Sequence, residues 1–495
     1  MMFSRKYNLK EFYTENLNPE YYVDIPTDFI YNPHIYELAY YLAKRSEAKY
    51  IIDIGSGNGK KLKKFVNEFK VFAVDYSINL ELIKKEIPEV TFIECNLEKE
   101  VPRLDNNIIK DSIVICSEVI EHLVNIDNLL LSLKSFSEKA RYLIISTPDR
   151  IRARGIGDYG PPGNPSHVRE WAIDEFYDLI NNYLSDFLIG YSVNTDFHLW
   201  KNNITVLSGR ELQISKSMSP KKILAIIHAY NEEDIINDVV EHLINQGIDI
   251  YVLDNWSNDS TFDILTLLKD KYPDRITLDR FPECNSVNYE WELQLQKTED
   301  IAFNMKNYDW ILHYDADEIR ISPWKGVTLS RAISFIDSLG YNAIDFTVID
   351  FRPTEEDNNQ NILIKNRFFE FGKRPGHFNQ VKGWKNQEGT KVCLSRTGGH
   401  EAQFLNRKIY PIKFLTKHYP LRSTQQAKKK IFIDRIPRFE KENREKGWHT
   451  QYNNISEECS FIYEKQYLIN WNENFFMSDF LIERISGIGI IKEER

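Results

Sequence analysis

Three acidic side chains follow one another closely in the sequence WILHYDADEIR, which spans Trp310 to Arg320. Asp315 and Asp317 stand two residues apart after an apolar, strand-like segment, so on an extended chain both carboxylates face the same side. These two carboxylates and that of Glu318 repel one another, and a shared Mn²⁺ or Mg²⁺ ion would neutralise them. Such an ion also bridges the phosphates of a departing nucleoside diphosphate, so the spacing predicts a metal-dependent sugar transfer.

A second group of acidic residues has the spacing of a helix face. In the sequence SEVIEHL, Glu118, Glu121 and His122 stand at positions i, i+3 and i+4, which on an α-helix places all three side chains on one side. Two carboxylates and an imidazole in that arrangement can hold a divalent cation. Acidic residues also favour the start of a helix through its dipole, so a purely structural role is the alternative.

A glycine-rich turn marks a third site. The strand-like YIID is followed by Gly55, Gly57 and Gly59, a GxGxG spacing that differs from the GxGxxG of dinucleotide-binding proteins. Asp75 ends the next strand about 20 residues later, where an acid can accept hydrogen bonds from both hydroxyls of a ribose. A nucleoside-type ligand is therefore expected at the carboxyl end of the first strand, above the N-terminus of a helix.

The segments that must position these residues alternate between short apolar strands and longer amphipathic stretches. This alternation of strands and helices predicts two tandem α/β domains with mostly parallel sheets. The sequence ISKSMSPKK interrupts the rhythm with Ser, Pro and Lys and marks a boundary. The predicted division is a domain at 1–214 that includes an N-terminal extension, a linker at 215–221, and a second domain at 222–495, which suits a chain of 495 residues.

Composition narrows the class of protein further. The formal net charge of −10 argues against a partner that is a nucleic acid. The five cysteines stand singly, so neither a disulfide framework nor a thiolate zinc site is indicated, and a reducing cytoplasm is expected. No apolar signal core and no long apolar segment is present, which predicts neither secretion nor a membrane span and leaves peripheral membrane contact open.

Four segments of the first half, DIGSGNG, VFAVDYS, ECNLE and CSEVIEHL, occur in the order seen in class I S-adenosylmethionine (SAM)-dependent methyltransferases. The sequence resembles that family from about Lys49 to Phe187. The resemblance implies a Rossmann-like fold and SAM as the cofactor. By that resemblance the cofactor-binding residues are Asp53, Gly55 and Gly57 at the methionine end, Asp75 at the ribose, and Asn96 and Leu97 at the adenine.

The ExxEH motif is similar to one found in metal-assisted O-methyltransferases of quinone biosynthesis and in small-RNA 3′-end methyltransferases. In those enzymes a further histidine completes the metal site, and His167 is the candidate here. The likeness implies catalytic roles for His122 and His167, with Glu118, Glu121 and His122 as metal ligands. A cation there would polarise a sugar or phenol hydroxyl for attack on the sulfonium methyl group. Methylation of RNA is the alternative, and the net negative charge of the chain disfavours it.

The second half resembles family 2 and related glycosyltransferases of the GT-A fold, from about Lys221 to near Tyr452. The segments that carry the likeness are HAYNEED, LDNWSNDST and DWILHYDADE. It implies a nucleotide-diphosphate sugar donor bound through Ala229, Asn231, Asp254 and Asp315, and a metal held by Asp315, Asp317 and His400, the last preferred to His418. Inverting and retaining chemistry both stay open, and the carboxylates eligible as general base are Asp345, Asp350, Glu370 and Glu401.

Together these features predict a bifunctional cytoplasmic transferase. One domain would methylate a substrate at oxygen, and the other would add a sugar to a glycan or a lipid-linked glycan during synthesis of a cell-surface polysaccharide. One alternative is a glycosyltransferase with a non-catalytic, methyltransferase-like scaffold, which would not bind SAM. Another uses the Asp pair for phosphoester hydrolysis, which would release phosphate without a sugar acceptor.

Overall fold

The chain forms two compact units, the first built mainly by Met1–Ile214 and the second mainly by Ser215–Asn472. We call them the N-terminal unit and the C-terminal unit. The computed structural model describes residues 6–24, 33–184, 191–194, 203–214, 219–284, 290–355, 368–370, 380–438, 455–456, 458–471 and 485. Residues 215–218 of the predicted linker lie outside this set, and the predicted domain limits stay predictions. Within the described residues no helix is both long and apolar enough to cross a membrane.

The N-terminal unit is built on one seven-stranded sheet with the order β3-β2-β1-β4-β5-β7-β6. Strands β1 to β5 pair in parallel, whereas β7 runs antiparallel to both β5 and β6. Strands β4 and β5 are almost entirely buried and mostly apolar, as expected for parallel strands covered on both faces. The strands are β1 Tyr50–Ile54, β2 Lys70–Asp75, β3 Thr91–Glu94, β4 Ser112–Ser117, β5 Tyr142–Pro148, β6 Tyr191–Asn194 and β7 Asn203–Ser208.

Helices of this unit cover the sheet and share its core. Leu129 and Leu133 of α4, together with Phe176 of α6, are buried in one cluster with β-strand residues such as Ile52 and Val114. The α-helices are α1 Pro33–Ser46, α2 Ser77–Glu86, α3 Asn106–Lys110, α4 Asp127–Lys139, α5 Arg150–Arg154 and α6 Ile173–Tyr183, and the 3₁₀ helices are Lys6–Asn8, Lys60–Lys64, Ile120–His122 and Arg210–Leu212. The strand order reverses between β1 and β4, which is where ligands of doubly wound sheets bind.

Two predicted helices of the N-terminal unit are shorter than expected. The segment after the glycine turn forms only the 3₁₀ helix Lys60–Lys64, in which four of five residues are lysines that repel one another across a turn. The ExxEH segment is also a single 3₁₀ turn, Ile120–His122, rather than an α-helix. Glu118 precedes it with a φ of 58°, a left-handed conformation that a helix does not allow.

The C-terminal unit contains two sheets. The first has the order β10-β9-β8-β11-β16-β13, and its strands β10, β9, β8 and β11 are parallel while β16 and β13 are not. The second has the order β12-β17-β14-β15-β18. The strands are β8 Ile223–Ala229, β9 Asp249–Asp254, β10 Ile276–Arg280, β11 Trp310–Asp315, β12 Glu318–Ile321, β13 Ala343–Ile344, β14 Phe346–Phe351, β15 Phe368–Glu370, β16 Gly383–Lys385, β17 Phe414–His418 and β18 Ile469–Asn470.

The helices of this unit follow the apolar periodicity of the sequence. In α7, Ile236, Val239, Val240 and Leu243 have the i, i+3, i+4, i+7 spacing and are all buried. The α-helices are α7 Ile236–Asn245, α8 Thr261–Lys271, α9 Trp291–Asn304, α10 Leu329–Ser338 and α11 Thr424–Lys428; a π-helix spans Lys429–Arg435, and 3₁₀ helices span Ser395–Thr397, Ile436–Arg438 and Lys465–Tyr467. The α/β class is confirmed, with mixed rather than mostly parallel sheets, and the GT-A assignment stays a prediction.

Candidate active sites of the two units

The glycine turn of the N-terminal unit needs glycine for both conformation and space. Gly55, Gly57 and Gly59 have φ values of 71°, 56° and 73°, in the region that residues with a side chain rarely adopt. A Cβ at Gly55 would lie 2.4 Å from Val119 Cγ2, and a Cβ at Gly57 would lie 2.4 Å from Asp24 Oδ2. The turn therefore presents bare backbone at the carboxyl end of β1.

Two buried carboxylates flank this turn. Asp53, at the end of β1, accepts hydrogen bonds from the Tyr36 hydroxyl at 3.2 and 3.1 Å, and burial raises its pKa to about 7. Asp75, at the end of β2, accepts a hydrogen bond of 2.8 Å from the backbone N–H of Gly57, and burial raises its pKa to about 6. Burial penalises the negative charge of both carboxylates.

A cavity of about 680 Å³ lies above the turn, large enough for a nucleoside cofactor and part of a second molecule. Of the residues predicted from the sequence, those that line it are Gly55, Gly57, Asp75, Leu97, Glu118, Glu121, His122 and His167. Asp53 and Asn96 do not: Asp53 is 1% exposed, and the Asn96 side chain accepts a hydrogen bond from the N–H of Glu98 at 3.1 Å. The site thus assembles most, but not all, of the predicted cofactor residues.

The outer wall of the cavity comes from the N-terminal extension, which sequence reasoning did not connect with the site. Leu17, Tyr21, Tyr22 and Asp24 all line the cavity. The Tyr22 ring lies 4.8 Å from the His122 ring, measured between centroids. The signal available in the sequence was only a pair of tyrosines in a segment without periodicity.

Three side chains that line this cavity converge on one another. One ligand atom each from Glu121, His122 and His167 lies within 4.8 Å of the others. Glu118, predicted to belong to the same face, does not join them, because its left-handed backbone turns the side chain toward Ser146 Oγ at 3.0 Å and Asn203 Nδ2 at 2.6 Å. Of the four residues suggested for this metal site, Glu121, His122 and His167 come together and Glu118 does not.

We expect Asp53→Asn to stabilise the ligand-free N-terminal unit above pH 7. A carboxyl whose pKa is raised on folding binds its proton more tightly in the folded state, so the wild-type unit should gain stability as the pH falls from 8 toward 5. The amide removes the buried charge and keeps an acceptor for Tyr36. Urea unfolding at pH 8 and pH 5 should show a gain of ~1–2 kcal/mol for the variant at pH 8 and a much smaller pH dependence. Equal pH dependence in both proteins would contradict this explanation.

In the C-terminal unit the acidic segment is neutralised by the protein's own lysines. Asp315, the last residue of β11, has its Oδ2 2.5 Å from Lys382 Nζ. Asp317 lies in the turn between β11 and β12, and its Oδ2 is 2.7 Å from Lys430 Nζ. Because the turn departs from the extended geometry, each carboxylate has its own lysine. These ion pairs relieve the repulsion for which the sequence had suggested a shared cation.

The two candidate histidines of this unit differ in their surroundings. His418 Nε2 is 3.7 Å from Asp317 Oδ1, and its Nδ1 is 2.7 Å from Asp350 Oδ1; these carboxylates raise the pKa of His418 to about 9. His400 Nδ1 instead faces Gln380 Nε2 at 3.3 Å, and burial lowers the pKa of His400 to about 4. His418 is thus the histidine beside Asp317, whereas His400 was the preferred ligand in the sequence.

The residues predicted to bind the nucleotide are only partly brought together. Ala229 and Asp315 line a cavity of about 410 Å³ with Asp317, His400 and His418. Asn231 and Asp254 are not among the residues that line it. Asn231 Nδ2 donates to Asp434 Oδ1 at 2.8 Å, and Asp254, fully buried, lies 3.2 Å from Arg280 Nε.

We expect Lys430→Met to destabilise the C-terminal unit by about 3 kcal/mol, because it leaves the buried carboxylates of Glu232 and Asp317 without this cation. Lys429→Met is the matched control, since its side chain is more exposed and its ion pair with Asp259 is 3.5 Å long. That control should cost at most about 1 kcal/mol in urea unfolding. Similar losses in the two variants would show that Lys430 is not the main counter-charge of Asp317.

Comparison with known proteins gives a family for the N-terminal unit. Residues 34–200 match a family model described as a methyltransferase domain. This part of the chain therefore carries a methyltransferase domain, and the matched span includes the glycine turn, Asp75 and the cluster around His122. A search of curated proteins returned no match.

Several solved structures are also similar to this chain. The N-terminal domain of EvdMO1 with SAH bound is 14% identical, covers 39% of this chain and 90% of its own, and has a TM-score of 0.26. Human N-acetylserotonin methyltransferase in complex with SAM is 13% identical; the match covers 36% of this chain and 52% of that protein, with a TM-score of 0.27. Streptomyces venezuelae DesVI is 13% identical, with shares of 35% and 89% and a TM-score of 0.28. The assignment rests on the family model rather than on these weak likenesses.

Proposed function

We propose that the N-terminal unit is a SAM-dependent methyltransferase that acts on a hydroxyl oxygen. The observation that carries the proposal is the bare glycine turn at the carboxyl end of β1, with Asp75 at the end of β2, inside the span that matches a methyltransferase domain. Asp75 lines the cavity above the turn, where its carboxylate can accept the ribose hydroxyls of SAM.

Methyl transfer to oxygen needs close approach and a place for the proton. An oxygen lone pair forms the new bond to carbon, the sulfur–methyl bond breaks with its electrons kept by sulfur, and the hydroxyl proton leaves. His122 Nδ1 donates to the Ser166 carbonyl at 2.9 Å, which assigns the lone pair of that ring to Nε2. His167 Nδ1 lies 2.6 Å from Glu170 Oε1, and its Nε2 already lies 3.0 Å from the Asn164 amide nitrogen. We therefore assign proton transfer from the acceptor to His122.

The same cluster fits a divalent cation. Metal-binding histidines usually donate their second N–H to a carbonyl or a carboxylate, as His122 and His167 do. Glu121, which is fully buried, would be the third ligand. A bound cation would take the place of the Asn164 amide at His167 Nε2 and would polarise the acceptor hydroxyl, which would replace the role that we assign to His122.

For the C-terminal unit we propose the transfer of a sugar from a nucleotide-diphosphate donor to a glycan or lipid-linked glycan acceptor, with Mn²⁺ or Mg²⁺. Support comes from the cavity at the carboxyl ends of β8 and β11, where the strand order reverses, and from Asp315 and Asp317, which line it. A cation bound there would replace the lysine ammonium groups that pair with these two carboxylates. A shared role of both units in polysaccharide synthesis, and a cytoplasmic location, stay predictions. The rival is a glycosyltransferase with a non-catalytic first unit.

Thermal unfolding of the full chain against a ligand panel tests both assignments. Because a ligand that binds only the folded state raises the melting temperature, SAM and S-adenosylhomocysteine (SAH) should stabilise the N-terminal unit, and one nucleoside diphosphate with Mn²⁺ should stabilise the other. Asp317→Ala should remove only the nucleotide response. If neither SAM nor SAH raises the melting temperature, the scaffold alternative replaces the methyltransferase proposal. Measuring the SAM-induced rise in melting temperature again after treatment with a chelator shows whether SAM binding needs a bound cation.

A further inference from the structure

The acid predicted to hold the methionine end of SAM lies behind the glycine turn rather than in the cavity. Asp53 is 1% exposed, is not among the residues that line the cavity, and accepts the Tyr36 hydroxyl on both of its carboxylate oxygens. A group bound in the cavity would have to displace Tyr36 to reach it. The amino-acid end of the cofactor therefore needs another carboxylate.

A segment of the N-terminal extension, Asn16–Asp24, supplies one. We call this segment the strap. It is anchored on one side by Asn16, whose N–H donates to the Val168 carbonyl at 2.8 Å. On the other side Asn79 of α2 accepts from the N–H of Asp24 at 3.1 Å and donates to the Tyr22 carbonyl at 3.2 Å. Bonded at both ends, the strap forms the wall of the cavity that faces the glycine turn.

The Asp24 carboxylate is placed directly against that turn. Its Oδ2 accepts a hydrogen bond of 3.0 Å from the backbone N–H of Asn58, and it occupies the space that a side chain at Gly57 would need. Unlike Asp53, Asp24 lines the cavity. We propose that Asp24, rather than Asp53, binds the ammonium group of the amino-acid end of SAM and SAH.

The chemistry of the two ends of the cofactor supports this division. Asp75 is held at the end of β2 by the N–H of Gly57, where it can accept the ribose hydroxyls. A carboxylate on the other side of the same turn meets an ammonium group with a charge-assisted hydrogen bond, which is stronger than a neutral one. The strap would thus select ligands that carry an amino-acid group.

This inference rests on the proposed function. Comparing the binding of two ligands tests the role of Asp24 separately from the methyltransferase proposal. SAH contains adenine, ribose and the amino-acid group, whereas 5′-methylthioadenosine lacks the amino-acid group. Calorimetric titration of the full chain should show that Asp24→Asn weakens SAH binding about tenfold or more and leaves 5′-methylthioadenosine within about twofold. Asparagine can still accept from the N–H of Asn58, so the strap should keep its place.

Glu20→Gln is the matched control. Glu20 is exposed, lies on the same strap, lines the same cavity and loses the same charge in this variant. The affinity of Glu20→Gln for SAH should stay within about twofold of the wild-type value if the loss in Asp24→Asn comes from a direct contact of Asp24. A loss of general negative charge near the cavity would instead weaken both variants. Equal losses in the two variants, or an Asp24→Asn protein that binds SAH normally, would overturn the inference while leaving the methyltransferase proposal intact. Absence of SAH binding in the wild-type chain would remove both.

Discussion

Gly57→Val should abolish cofactor binding, weakening SAH affinity by more than about 100-fold. Valine is β-branched and poorly tolerates the φ of 56° found at this position, and its Cβ would meet the Asp24 carboxylate at 2.4 Å. Either the turn or the strap must move, and both form the walls of the cavity. Calorimetric titration with SAH measures the loss directly.

Gly157→Ala is the control for this substitution, because no atom lies within 4 Å of the Cβ that it would add. It should bind SAH like the wild-type chain. The C-terminal unit should keep its urea transition in both variants, which shows that the rest of the chain is folded. If Gly57→Val bound SAH normally, the cofactor would have to lie elsewhere than on the glycine turn.

Asp75→Ala should weaken the binding of SAH and of 5′-methylthioadenosine by about 100-fold each, since both ligands carry the ribose. The buried carboxylate is expected to accept two hydroxyl hydrogen bonds, and each charge-assisted bond contributes about 1.5–3 kcal/mol. Asp75 also fixes the turn through the N–H of Gly57, which adds to the loss. Titration of both ligands into the same variant measures the two losses side by side.

Asp75→Asn provides the graded comparison for this prediction. The amide keeps one acceptor oxygen and should lose less affinity than alanine. A loss for SAH without a loss for 5′-methylthioadenosine would contradict the ribose assignment, because only the amino-acid group distinguishes the two ligands. This pattern is the one expected of Asp24→Asn instead, so the two acids can be told apart in one set of titrations.

The strands and the glycine turn could be predicted from the sequence because their signals are local. The apolar runs at β1, β2, β4 and β5 are confirmed as strands, and Gly55, Gly57 and Asp75 follow from where those strands end. Parallel strands bring their carboxyl ends to one edge of a sheet. The proximity of residues that are distant in the sequence can therefore be predicted from the strand assignments alone.

The features that the sequence did not indicate depend on contacts between distant segments. Glu118 was assigned to a helix face from spacing alone, whereas its conformation is set by partners in β5 and β7. Lys382 and Lys430, which neutralise the acidic segment, stand 67 and 113 residues from their aspartates. The strap carries no periodic pattern, so nothing in its sequence indicates that it covers the cavity.

The central claim is that the glycine turn of the N-terminal unit binds SAM and SAH. Calorimetric titration of the wild-type full chain with SAH at pH 7.5 tests it most directly. We predict saturable binding at one site per chain, competed by SAM and lost in Gly57→Val. An absence of binding in a chain that still unfolds cooperatively would contradict the account, because the glycine turn, Asp75 and the cavity above them would then have no cofactor to hold.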